Sequence, residues 1–131
     1  MYKERFELLV KAAGNDEDIL TLIEDSMNTL SSYVSAVYAM EVQIQTLRFR
    51  LEGAEYRDAV MELDKRRRSA HEAAIASCSV LNRVASIIGT EAMYTGNLDD
   101  RYEVADFCIA IVEELFHGRT KCTVDELLKS A

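Results

Sequence analysis

Residues 23–53 read IEDSMNTLSSYVSAVYAMEVQIQTLRFRLEG, and their spacing decides the fold. Ile23, Met27, Leu30, Val34, Val37, Glu41, Ile44, Arg48 and Leu51 recur at alternating steps of four and three. That is the heptad seam of a helix lying along another helix. Counted from its capping residues near Asn15 and Asp16, this helix spans about 54 Å at ~1.5 Å per residue. Asp16, Glu17 and Asp18 face the positive end of its dipole. Gly53 is read as its stop.

A second long stripe follows. Tyr56, Val60, Leu63, Arg67, Ala70, Ala74, Ser77, Leu81, Val84 and Ile88 predict a helix over Ala54 to Ile88, ended by Gly89. A tight turn at Gly53 makes the two helices antiparallel neighbours. The pairing then sets Val34 against Ala74, Val37 against His71, Ile44 against Leu63 or Asp64 and Arg48 against Val60. Glu41 faces Arg67, and these two charged residues in apolar seams are expected to form a partly buried structural ion pair. Such a pair fixes register more than it stabilises, and stranding one member of a fully buried pair costs roughly 3–5 kcal/mol.

Shorter helices flank the hairpin. Tyr2, Phe6, Leu9 and Ala13 predict a first helix, with Gly14 in a left-handed position after it. Thr90 to Asp100 reads as a loop, with a short helical turn within Glu91 to Tyr94. Asp100 and Glu103 have capping spacing for a helix over Arg101 to His117, whose seam is Ala105, Cys108, Val112 and Leu115, widened by Ile109 and Phe116. Thr123 and Glu126 form a capping box for a short last helix. The expected fold is all-α: one domain over 1–131, a long antiparallel hairpin with shorter terminal helices packed on it as a bundle.

Composition agrees. The chain has 131 residues, no Pro and only five Gly, with 49% hydrophobic and 29% charged residues. Those proportions support a core and long helices and exclude disorder. The net charge of −8 argues against nucleic acid and anionic lipid as partners. Three Cys, with no metal-like spacing, read as reduced thiols in a cytoplasm. No secretion signal or apolar run of membrane-spanning length is visible, so no membrane association is expected.

The second helix is apolar beyond its seam. Tyr33, Met40 and Leu47 lie on one flank, and Tyr38, Val42 and Phe49 on the other. One hairpin partner cannot cover so wide a surface, so a homodimer or an unknown protein partner is expected to cover the rest.

Chemistry is sparse. Residues 48–83 carry +2 while the segments on either side carry −5 each. Lys65-Arg66-Arg67-Arg68 supplies much of this, but consecutive helical residues point about 100° apart and make no single patch. Four residues lie between Arg66 and His71. This Arg-x4-His spacing resembles that of HEPN-domain ribonucleases, which are all-helical and dimeric. The resemblance implies Arg66 as a phosphate or transition-state stabiliser and His71 as a proton-transfer group. Glu103 and Asp106 match half of the metal motif of all-helical nucleotide pyrophosphatases, whose upstream Glu-Glu-x-x-Glu is missing. No metal site and no cofactor is expected. The leading expectation is a non-catalytic interaction or accessory module, with the ribonuclease as the alternative.

A broader resemblance covers most of the chain. Leu63-Asp64-Lys65-Arg66-Arg67-Arg68-Ser69-Ala70-His71-Glu72-Ala73-Ala74-Ile75 and Leu81-Asn82-Arg83 resemble a family of small helical proteins of unknown function from Gram-positive bacteria. Glu-Arg-Phe-Glu near the start and Asp100-Arg101-Tyr102-Glu103-Val104-Ala105-Asp106 fit the same family. Glu72 departs from its usual Asn. The resemblance implies a bacterial, mobile-element setting and no particular chemistry.

Overall fold

The computed structural model describes residues 1–129 and contains five helices: α1 (Tyr2–Ala13), α2 (Glu17–Arg50), α3 (Gly53–Ile88), α4 (Arg101–Phe116) and α5 (Val124–Lys129). The described residues hold no strand. Local chemistry accounts for most of the helix ends. The Asp16 carboxylate accepts from the backbone N–H groups of Asp18 and Ile19, and Asp100 does the same for Tyr102 and Glu103. At α5, Thr123 Oγ1 accepts from Glu126 N while the Glu126 carboxylate accepts from Thr123 N, a complete capping box. Gly89 ends α3 in the left-handed conformation.

Several boundaries depart from the sequence expectation. Gly14 has positive φ but ψ of −126°, outside the left-handed helical region. α4 stops one residue early, because His117 itself adopts φ 49° and ψ 49°. Residues 91–94 form no helical turn, since Asn82 on α3 holds the backbone there. Its amide donates to Tyr94 O at 2.7 Å and its carbonyl accepts from Tyr94 N at 3.1 Å.

The hairpin turn is the consequential departure. α2 ends at Arg50, Leu51 and Glu52 are extended, and Gly53 opens α3 with φ 58°. Gly53 therefore starts the second helix and does not stop the first. Centring the turn on Leu51 and Glu52 moves every cross-hairpin pair by one helical turn. Tyr33 Oη, not Val37, meets His71, at 3.2 Å from its Nδ1. Arg48 Nε donates to Tyr56 Oη at 3.2 Å, in place of facing Val60. Glu41 is then level with Leu63 and stays exposed. Arg67 pairs with Asp64 in its own helix. The expected Glu41–Arg67 ion pair is thus replaced by an intrahelical one.

α2 and α3 pack together more extensively than any other pair of helices. They are covered along only part of their length. Ile23, Met27, Leu30 and Val34 of α2 and Ala74, Cys78, Leu81, Val84 and Ala85 of α3 join Phe6, Leu9, Ile111, Leu115, Phe116 and Leu127 in one core. The buried face of α4 is Val104, Phe107, Cys108, Ile111, Leu115 and Phe116, rotated from the expected seam. The rotation follows from what packs on it: the Tyr2 and Tyr94 rings lie 5.3 Å and 4.9 Å from the Phe107 ring.

Side chains also tie the loops and terminal helices to this base. Asn28 on α2 exchanges two hydrogen bonds of 2.9 Å with the backbone of Cys122. Ser31 Oγ donates to Thr120 O, and Glu24 accepts from Val124 N. Glu114 on α4 accepts from the N–H groups of Tyr2 and Lys3 and from the terminal amine of Met1. It caps α1 from another helix, which Met1 cannot do with its own side chain. Burial alone would raise the Glu114 carboxyl, but these donors hold it below its usual range.

Candidate functional site

Beyond Val34 on α2 and before Ala74 on α3 the hairpin leaves the bundle as an arm, residues 35–73. Leu63 is its only buried residue. α2 presents two stripes here. Val37, Met40, Ile44, Leu47 and Leu51 are half-buried and face α3. Tyr38, Val42, Gln45 and Phe49 recur at steps of four, three and four, and all four are exposed. Tyr38 is 51% exposed, Val42 66% and Phe49 92%. Met61 on α3 is 61% exposed. These side chains form an exposed apolar stripe at helical spacing along the arm.

Charge separates arm from base as sharply as burial does. Residues 35–73 contain seven basic and seven acidic side chains, so the arm is neutral. The whole net charge of −8 resides on the remainder. A shallow groove of about 310 Å³ runs along the arm between Met40, Ile44, Val60, Met61, Leu63, Asp64 and Arg67.

Arg66 and His71 have different surroundings within the chain. Arg66 is exposed on the arm, in a run where Lys65 and Arg68 bridge Glu62 and Asp64 of the same helix. His71 stands where the arm joins the base, and its Nδ1 is engaged by Tyr33. Its Nε2 is buried without a hydrogen-bond partner. Burial, and then the positive charges of Arg101 and Arg67, hold its pKa below 6.5. Burial raises Tyr33 in turn. Two more clefts open on the base, one beside Glu17, Glu24 and Asp125, the other beside Tyr94, Glu103 and Asp106. Neither Arg66 nor His71 lines any of the three clefts.

Among the described residues no group of three or more His, Cys, Asp or Glu is arranged to hold a metal. Cys78, Cys108 and Cys122 are free and buried. Cys78 on α3 and Cys108 on α4 influence each other, and the Cys78 interaction, then burial, push the Cys108 thiol up. No helix of the described residues is long and apolar enough to cross a membrane.

Sequence reasoning pointed to Tyr38, Val42 and Phe49 and placed Tyr33 on an apolar flank, but missed the contact of Tyr33 with His71 and the roles of Asn28, Asn82 and Glu114. Asn28 and Asn82 each stand one residue after a core position, Met27 and Leu81. That adjacency of an amide to a buried seam is the one local signal of their role.

Fold and site together define a helical-bundle protein with a protruding two-helix arm that bears an exposed apolar stripe. The chain belongs to the family described as "Protein of unknown function (DUF3232)", whose model matches residues 1–121. Neither the curated proteins nor the solved structures yielded a match.

Proposed function

We propose that this protein is a non-catalytic interaction module that works as a homodimer through its arm. The observation that carries the reading is the exposed Tyr38, Val42 and Phe49 stripe on an arm that adds almost nothing to the core. Exposing these residues has no folding benefit, since apolar surface is favourable only when removed from water. A second copy is the fitting occupant on electrostatic grounds. Two neutral arms approach without net repulsion, whereas two bases would bring like charges of −8 together.

The resemblance of Leu63 to Ile75 to small helical proteins of Gram-positive bacteria supports a cytoplasmic setting and a gene on a mobile element. The ribonuclease reading gains no support from an exposed Arg66 and a His71 engaged by Tyr33. Light scattering over a concentration series tests the proposal. A mass rising toward twice 14.8 kDa supports it, and a constant 14.8 kDa at every concentration refutes it.

A further inference from the structure

The spacing of the exposed stripe carries more than the fact of association. This inference rests on the homodimer reading and names its geometry. We propose that two copies pair antiparallel through the outer stripe of α2, about a two-fold axis passing between Gln43 and Ile44. That axis sets Tyr38 against Phe49 of the partner subunit and Val42 against Gln45 of the partner subunit. Every member of the stripe then meets a stripe residue, in two symmetric layers of each kind.

The flanks of the stripe select this direction. Glu41 and Arg48 stand one residue before Val42 and Phe49, on the same side of the stripe. In an antiparallel pair that side meets its own copy. Glu41 then lies beside Arg48 of the partner subunit, and Arg48 beside Glu41 of the partner subunit. Both residues are exposed, and among the described residues Glu41 has no ion pair. The opposite flank is Ala39 and Thr46, small and uncharged, which admits close approach. In a parallel pair Glu41 would fall beside Thr46 and gain no charged partner. A parallel pair would also set the two acidic bases side by side, whereas the antiparallel one holds them at opposite ends.

The size of the contact sets its strength. From Tyr38 to Phe49 the stripe is about 16 Å long. Two heptads fall below the ~1,200 Å² of total buried surface that marks stable complexes, so the dimer is reversible, with a Kd in roughly the micromolar range. Its aromatic layers, two Tyr38–Phe49 pairs, flank a centre of Val42 and Gln45. The polar Gln45 in the seam fixes register at some expense of affinity.

Sedimentation equilibrium of the full chain from about 5 to about 500 µM reads the outcome. The wild type shifts from monomer toward dimer, and Phe49→Glu and Val42→Glu remain monomeric with unchanged thermal melting. Glu41→Arg and Arg48→Glu each place like charges together and weaken the dimer about ten-fold or more. The double variant E41R/R48E restores the contact with its charges exchanged and recovers dimerisation. A wild type that stays monomeric throughout overturns both the homodimer reading and this geometry. A dimer that survives Val42→Glu keeps the homodimer and overturns the outer-stripe interface. A dimer lost in Val42→Glu but not rescued in E41R/R48E overturns the antiparallel register.

Discussion

The two halves of one hairpin are built from the same heptad pattern and have opposite fates. Between Ile23 and Val34, and again between Ala74 and Ala85, the seam is sealed by α1, α4 and α5, and side chains clasp the surrounding backbone. Between residues 35 and 73 the pattern continues unbroken, yet only Leu63 is buried. Periodicity thus states that a helix has an apolar side. It does not state what covers that side. The base uses its apolar stripe to fold, whereas the outer stripe of the arm stays exposed and is assigned to association in the proposed homodimer.

The largest difference between the halves is expected from aromatic truncation. Phe116→Ala empties a fully buried site in the base and costs about 3–5 kcal/mol of unfolding free energy. Phe49→Ala, on the arm, changes monomer stability by less than about 0.5 kcal/mol. Chemical denaturation of both variants at low concentration measures the contrast; equal losses would mean that the arm also belongs to the folding core.

Next comes the polar clasp that only the base possesses. Asn82→Ala strands Tyr94 N and Tyr94 O, which the loop has no other means to satisfy, at about 1–3 kcal/mol. Hydrogen exchange around residues 90–98 should accelerate while exchange in the arm stays unchanged. Faster exchange in both regions would show that the halves are coupled.

The smallest effect marks their boundary. The folded structure holds the His71 pKa below 6.5, so the neutral imidazole is the form that the fold prefers. Its contribution is complete above the unfolded value of 6.5 and is lost as pH falls from there through the lower folded value. Thermal melting of the wild type should therefore drop between pH 7.5 and about 5.5 by more than that of His71→Gln. Identical pH profiles would place His71 in free solvent and dissolve the boundary between base and arm at this level.

Helix identities and most ends are legible in the amino-acid sequence because the chemistry that sets them is local. Asp16, Asp100, Gly89 and the Thr123–Glu126 box act within four residues of themselves. Hairpin register is not legible in the same way. Gly53 signals a turn nearby, but positive φ suits the opening residue of α3 as well as the residue after α2. That single ambiguity displaced every cross-hairpin pair and with them the Glu41–Arg67 pairing. Glu114, Asn28 and Asn82 act on backbone 12 to 113 residues away, where no local pattern points. For the site, Tyr38, Val42 and Phe49 were visible as an apolar flank in need of cover. That the rest of the chain leaves them bare, and that the net negative charge falls on the base, required the packed structure.

Backbone hydrogen exchange at two protein concentrations, one below and one above the dimer Kd, tests the division of labour most directly. If the arm associates and the base folds, amides between residues 35 and 50 gain protection as concentration rises. Amides of residues 17–34 and 74–88 keep the same strong protection at both. Arm amides as protected as the base at low concentration, with no change at high concentration, would contradict it.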